Sequence, residues 1–137
     1  MSERVDAYFR KLERRTSEDL DRSAVDLSLR EKQNVARQIA HIAVIRERKY
    51  HLELGYRTIF DYCVMRLRLG EGTVSRRTQV AGVARAFPQI LEALFTNRLN
   101  LTGASLIAPH LTADNVETLI AEAEGRTKRE LERVAEV

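Results

Sequence analysis

The residues of this chain whose types could do chemistry are basic and short polar side chains gathered around one glycine-marked turn. Arginine side chains bind phosphate groups, and the hydroxyl of Ser75 and the amide of Gln79 can hydrogen-bond the edges of bases. Between Arg46 and Arg85 nine basic residues stand against four acidic ones, a charge excess expected of a phosphate-binding surface. The same charges would also suit an ordinary solvated helix face. The candidate DNA-binding residues are Arg57, Arg66, Arg68, Thr73, Ser75, Arg76, Arg77 and Gln79.

The segment that must position these side chains predicts two helices joined by a turn. Thr58 can cap the first helix with its hydroxyl, with Asp61 three residues further on. Gly70 and Gly72 supply the backbone freedom for a sharp reversal, and Thr73 can cap the second helix. This order is the outline of a helix-turn-helix, in which the second helix enters the DNA major groove. Many helical domains that never touch DNA share the outline, so the pattern alone does not establish DNA binding.

Advancing the second helix by 100° per residue separates its faces. Ser75, Gln79 and Gly82 fall on a polar side, where short side chains would let the helix approach a DNA groove or another helix closely. Arg76 lies at the border, whereas Arg77 projects into the apolar side and needs an acidic partner or an outward stem. Arg76 is therefore the better candidate for DNA contact. The apolar side collects Val74, Val80, Ala81, Val83, Ala84 and Phe87.

The N-terminal part of the chain predicts an amphipathic helix. We assign residues 1–27 to a helical arm and residues 28–137 to a helical DNA-binding domain. Thr16 and Asp19 mark a second helix start inside the arm. The apolar positions of the first helix are Val5, Phe9 and Leu12.

A long central helix is predicted next, from about Leu29 to Leu52. Ser28 and Glu31 have the spacing of a capping box at its start, and Gly55 lies just past its end as a C-cap. Arg46 in its last turns suits both the helix dipole and a role on DNA. Its apolar stripe consists of Val35, Ile39, Ile42 and Ala43.

The C-terminal third predicts several shorter helices. Pro88 suits the first turn of an apolar helix, Thr102 can start a short one, and Thr112 another. Thr127 and Glu130 form a capping box for a last helix. The fold class is therefore all-α, a compact multi-helix domain with a long central helix and a helix-turn-helix-like pair.

Composition narrows the functional classes. The net charge of the 137 residues is only +3, so affinity for nucleic acid must come from local clustering. A single cysteine, Cys63, excludes an internal disulfide, and its apolar setting predicts a buried thiol. No apolar run approaches the roughly 20 residues that span a bilayer, and the first residues lack the apolar block of a signal peptide. We expect a cytoplasmic protein.

Four segments carry a resemblance to a known family: RERKYHLELGYRTIFDYC, LGEGTVSRRTQVAGVARAFPQIL, RLNLTGASLIAPHLTADN and GRTKRELERVA. Their succession, over roughly residues 28 to 135, resembles the helical N-terminal region of bacterial HNH-endonuclease-type proteins. The resemblance implies a DNA-associated module that precedes a small metal-dependent nuclease domain. Thr78 departs from the aliphatic residue of that pattern, and it would either loosen the turn of the helix pair or bond back to its own backbone.

The sequence gives no support for catalysis. The three histidines, His41, His51 and His110, are scattered, so a His-Asn-His arrangement with metal-ligand spacing is missing. His51 and Cys63 lack the further partner that a metal site or nucleophilic pair requires. The glycine turn follows a helix and lacks the lysine of a phosphate-binding loop. We expect no catalytic residue, metal, cofactor or small-molecule substrate.

The leading hypothesis is a non-catalytic DNA-binding domain of the helix-turn-helix type, which serves as the targeting module of a nuclease or as a small regulator. Its partner would be double-stranded DNA, bound by a monomer or a homodimer. The alternative is a protein-interaction or dimerisation module without direct DNA contact. Sedimentation with and without mixed DNA would discriminate between them.

Overall fold

A computed structural model of the chain describes residues 2–126 and residue 133. Over these residues the secondary structure is entirely helical, so the all-α prediction is confirmed. None of the described helices is long and apolar enough to cross a membrane. The helices are α1 (Ser2–Glu13), α2 (Ser17–Glu47), α3 (Tyr50–Glu53), α4 (Ile59–Met65), α5 (Glu71–Ala84), α6 (Gln89–Phe95), α7 (Leu101–Ile107) and α8 (Val116–Ala123), with a 3₁₀ turn (Ala108–His110) after α7.

The described residues divide into two compact units, one that ends at Glu31 and one that begins at Lys32. The division falls within α2, whereas the sequence placed its boundary after residue 27. The last helix expected from Thr127 and Glu130 lies outside the described residues.

The start of α2 confirms one cap and corrects another. The backbone N–H of Asp19 donates to Thr16 Oγ1 at 3.1 Å, as the spacing of the two residues predicts. Ser28 lies inside α2, so the predicted helix start there is wrong. Ser28 is exposed, and because its hydroxyl can bond water, a serine with cap spacing is compatible with an unbroken helix.

The end of α2 also differs from the prediction. The helix ends at Glu47 rather than near Leu52, because Lys49 has a φ of 57° in the left-handed region, which cannot continue a right-handed helix. Gly55, with a φ of 94°, follows the short α3 instead of capping α2. Arg48 and Lys49 therefore lie in a turn.

The core of the larger unit surrounds α5, which contacts α4, α6, α7 and the 3₁₀ turn. Ile39 and Ile42 of α2 are fully buried in this core, as the predicted stripe requires. Each fully buried side chain of this size contributes roughly 1.5–3 kcal/mol. The largest fully buried side chains are Ile39, Ile42, Ile90, Ile107, Ile120, Val74, Val80 and Cys63.

Helix α7 begins with an asparagine cap that the sequence did not predict, whereas α8 follows a loop closed by Thr112 and Asn115. Asn100 Oδ1 accepts from the N–H of Gly103 at 2.7 Å and caps α7, so Thr102 is not the cap. In the loop before α8, Thr112 Oγ1 accepts from the N–H of Asn115 at 3.2 Å, and Asn115 Oδ1 accepts from the N–H of Thr112 at 2.7 Å. Asparagine is among the strongest N-cap residues, which explains the earlier start of α7.

Candidate nucleic-acid interface

The first helix of the predicted pair, α4, is held in place by an N-cap and by core packing. Thr58 Oγ1 accepts from the N–H of Asp61 at 3.0 Å, which confirms the predicted cap of α4. Tyr62 and Cys63 on the inner side of α4 are buried in the core. The helix is therefore held by its cap and by packing.

The turn after α4 alternates inward leucines with outward arginines. Leu67 and Leu69 are half-buried and pack against the core, whereas Arg66 and Arg68 are exposed. The N–H of Leu69 donates to the carbonyl of Cys63 at 3.2 Å, which closes the turn onto α4. This alternation places two arginines on the surface beside the start of α5.

The backbone of this turn differs from the glycine-based prediction. Arg68, with a φ of 57°, supplies the left-handed residue, while Gly70 has a φ of −65° and Gly72 lies inside α5. Gly70 is the N-cap of α5, and its carbonyl accepts from the N–H of Val74 at 2.9 Å. The predicted cap at Thr73 is therefore wrong, because the helix begins two residues before it at Glu71.

The faces of α5 are those that its periodicity predicts. Ser75, Arg76, Gln79 and Gly82 are exposed, on a surface of short polar groups and one guanidinium. The opposite side is packed into the core. Its fully or nearly fully buried residues are Val74, Val80, Ala81 and Ala84.

The two neighbouring arginines of α5 occupy different environments. Arg76 is exposed, and its Nη1 lies 3.8 Å from the place where a Cβ on Gly72 would stand. Arg77 is half-buried and donates through Nη1 to Oε1 of Gln38 on α2. Arg76 is thus placed for an external partner, whereas Arg77 braces α5 against α2.

Thr78 directs its hydroxyl inward. Its Oγ1 donates to the carbonyl of Val74 at 2.8 Å, which confirms the predicted alternative of a bond to its own helix. The side chain is half-buried. The polar face of α5 is therefore formed by its neighbours.

Arg46 of α2, which is not among the candidate DNA-binding residues predicted from the sequence, reaches the same face. A Cβ added to Gly82 would lie 3.4 Å from Arg46 Nη1, so the guanidinium lies against the backbone of α5. The sequence predicts Arg46 near the end of the long helix, where it suits the helix dipole or a role on DNA. No neighbouring residue in the sequence links it to α5. The glycine on an otherwise polar face was the available signal, because glycine permits a close approach.

Most basic side chains between Arg46 and Arg85 have no partner among the described residues. Among the residues that the structure describes, they make no side-chain hydrogen bond or ion pair, although Arg85 Nε pairs with Glu47 Oε1 at 2.9 Å. Arg57 lies at the far end of α4 from the turn, about 10 Å along the helix axis. The unpaired residues are Arg46, Arg48, Lys49, Arg57, Arg66, Arg68 and Arg76.

One acidic residue stands at the edge of the candidate interface. Glu71 is the first residue of α5 and is exposed. Its carboxylate suits the positive end of the helix dipole but opposes a phosphate at that end. An anion would therefore meet the side of α5 more favourably than its N-terminus.

The other side chains that could take part in chemistry, Cys63 and His51, are buried rather than on this surface. Cys63 is fully buried, which confirms the predicted inner thiol, and burial raises the pKa of that thiol while the nearby Arg77 guanidinium lowers it. His51 is also buried, with a relative exposure of 7%. In the described ranges, no group of three or more histidine, cysteine or acidic residues could hold a metal ion.

An open groove of about 530 Å³ lies along the C-terminal half of α2. Its polar side chains are those of His41, Arg48 and Tyr50. Its lining residues are Ala40, His41, Val44, Ile45, Arg48 and Tyr50.

Comparison of the chain with protein-family models, with curated proteins and with solved structures gives no match. The resemblance to the helical region of HNH-endonuclease-type proteins therefore stays a prediction. Any functional proposal depends on the geometry of the α4–α5 surface itself.

Proposed function

We propose that this chain is a non-catalytic, cytoplasmic DNA-binding domain of the helix-turn-helix type, with α5 as the helix that meets the major groove. Its role would be to target a nuclease to DNA or to act as a small regulator. The resemblance described from the sequence favours the first of these roles.

A single observation carries the proposal: the exposed polar face of α5 is bordered by cations that have no partner among the described residues. Arg76 lies near the N-terminal end of this face, and Arg46 covers its C-terminal end at Gly82. Guanidinium groups at both ends of a short polar strip, without a partner among the described residues, are suited to two phosphate backbones with a groove between them. A protein-contacting helix face would more commonly be apolar at its centre.

The dimensions of the strip are compatible with this role. Ser75 and Gly82 are separated by roughly 10 Å along the helix axis, and the major groove is about 12 Å wide. The Ser75 hydroxyl and the Gln79 amide would meet base edges, while Arg76 would contact phosphate. Gly82 adds no side chain, so the Arg46 guanidinium can lie over the backbone of α5 at that end of the strip, where it would contact phosphate.

The decisive experiment measures DNA affinity of Arg76→Ala as a function of salt. Binding of a labelled mixed-sequence duplex is followed by fluorescence anisotropy at several salt concentrations. Because loss of one phosphate contact removes released counterions, the slope of log affinity against log salt should fall by about 0.9. Affinity should weaken at low and moderate salt for all sequences alike.

Arg22→Ala is the matched control, because it removes the same charge from an exposed arginine that is paired with Asp19 at 3.3 Å in the other unit. Its affinity and salt slope should equal those of the parent chain. The proposal is contradicted if Arg76→Ala binds DNA as tightly as the parent, or if the parent binds no duplex at all.

A further inference from the structure

The first helix carries an apolar stripe of which three of the four side chains are exposed. Val5, Tyr8, Phe9 and Leu12 are spaced as one face of α1. Val5 is 46% exposed, and Tyr8 and Phe9 are each 57% exposed. Three large apolar side chains in a row on one helix are unfavourable in water and mark a surface that binds another molecule.

The unit that contains this stripe is too small to cover it. A unit that ends at Glu31 has two helical segments, and chains of fewer than about 40 residues seldom build a core without help from another chain, a metal or disulfides. Val25 and Leu27 of the same unit are also exposed, by 62% and 58%. Two copies of a two-helix unit could form the four helices of a bundle, in which such residues are buried.

The charges beside the stripe identify the partner. At 100° per residue, Arg4 and Lys11 lie along one edge of the apolar face, and Asp6 and Glu13 lie along the other. In a parallel pair with two-fold symmetry, the basic edge of each helix runs beside the acidic edge of its partner. In an antiparallel pair, equal edges would meet and repel.

We infer that α1 pairs in parallel with α1 of a second copy of this chain. The helix is self-complementary in this orientation, with opposite charges on both flanks of a shared apolar seam. The residues up to Glu31 include seven basic and eight acidic ones, so two copies are not driven apart by net charge. Helices that lie on membranes favour basic residues over their polar face, a pattern that the acidic edge of α1 breaks.

The first test is the mass of the full-length chain by sedimentation at micromolar to tens of micromolar concentration. The parent should be a dimer, and Phe9→Asp should weaken dimerisation by more than about a hundredfold, because two buried rings are lost per dimer. Met65→Asp is the matched control, since Met65 is 66% exposed but lies in the other unit. Circular dichroism checks that both variants keep their helices.

The orientation is tested by cross-linking. In a parallel pair Val5 faces Val5, so Val5→Cys should form an intermolecular disulfide under mild oxidation. In an antiparallel pair Val5 would face Leu12, about 10 Å along the axis from the other Val5. A mixture of Val5→Cys and Leu12→Cys chains that links only between the two variants would overturn the parallel arrangement.

The charged edges are tested by exchange. A chain with Arg4→Glu and Lys11→Glu has two acidic edges, and one with Asp6→Lys and Glu13→Lys has two basic edges. Each should be monomeric alone, and the equimolar mixture should recover the dimer.

Three results would each overturn the inference: a parent chain that is monomeric throughout, a Phe9→Asp variant that dimerises as well as the parent, or a monomer that floats with anionic lipid vesicles. Loss of DNA binding in Arg76→Ala should leave the dimer intact, so the two proposals fail separately.

Discussion

Arg68 combines an unfavourable backbone with an exposed charge. A residue with a side chain costs roughly 1–2 kcal/mol in the left-handed region, because its Cβ approaches the following carbonyl oxygen. Arg68 adopts this conformation in the turn that leads into α5, and its side chain makes no hydrogen bond or ion pair with the described part of the chain. The proposed DNA contact gives a reason for an arginine at a position that glycine would fill with less strain.

Arg68→Gly should therefore raise stability while it weakens DNA binding. Relief of the left-handed strain should raise the free energy of unfolding by about 0.5–1 kcal/mol, measured by urea denaturation. DNA affinity should fall with a salt slope smaller by about one. Arg66→Gly is the control, because Arg66 has an ordinary φ of −89° and should lose affinity without a gain in stability. Equal stability changes in both variants would argue against strain at Arg68.

At the scale of the helix, α5 begins with a charge that serves folding and opposes the proposed function. Glu71 stands in the first turn, where its carboxylate interacts favourably with the helix dipole. The same carboxylate would repel DNA phosphates next to the arginines of the preceding turn. Stability and binding therefore make opposite demands on this residue.

Glu71→Gln should tighten DNA binding and slightly destabilise the fold. Loss of the dipole interaction should lower the free energy of unfolding by about 0.3–1 kcal/mol. Affinity for duplex DNA should increase at low salt, and the gain should shrink as salt screens the charge. Glu92→Gln on α6 removes an equal charge from an exposed position in another helix and serves as the control. Unchanged affinity at low salt would place the DNA away from the start of α5.

Helix faces and some helix starts could be predicted because both depend on nearby residues. The cap at Thr58 needs only the N–H three residues on, and the buried side of α5 follows from its periodicity. Ser28 shows the limit of such reasoning, since its cap spacing occurs within a continuous helix. Whether a helix stops there depends on the packing of the whole segment rather than on two side chains.

The residues that complete the candidate interface depend on distant parts of the chain. Arg46 meets Gly82 only because α2 packs beside α5, and Arg77 bonds Gln38 for the same reason. The left-handed turn residue was also beyond local rules, which favour Gly70 over Arg68. These features depend on tertiary packing. The polar face of α5 can therefore be predicted from the sequence, but the approach of Arg46 to it cannot.

At the scale of the whole molecule, the packing of the core affects the protonation of the Cys63 thiol. Burial is the larger influence and raises the pKa of the thiol above its ordinary value, while the charge of Arg77 works in the other direction. A folded state with a raised thiol pKa holds its proton more tightly than the unfolded chain does. Stability from this source is present at neutral pH and is lost as the pH rises above the ordinary thiol pKa of about 8.5.

The free energy of unfolding should therefore fall, as the pH rises above about 8.5, by more in the parent than in Cys63→Ala. The variant loses packing at every pH, so its absolute stability is lower, and only the difference between the two pH profiles is informative. Urea denaturation at a series of pH values measures it. Parallel profiles would show that the Cys63 proton is not linked to folding.

The ring pair beside α4 gives this protein a built-in optical reporter. The sequence has no tryptophan, and Tyr56 and Tyr62 meet edge to face with their centroids 5.7 Å apart and their planes at 84°. Tyr62 is buried on α4, and Tyr56 lies just before that helix. Because fixed, asymmetric ring pairs dominate near-ultraviolet circular dichroism, the signal near 280 nm should come mainly from the segment that holds the proposed DNA-binding helices. The other two tyrosines, Tyr8 and Tyr50, are exposed and should contribute less, so unlabelled protein can report chiefly on that segment.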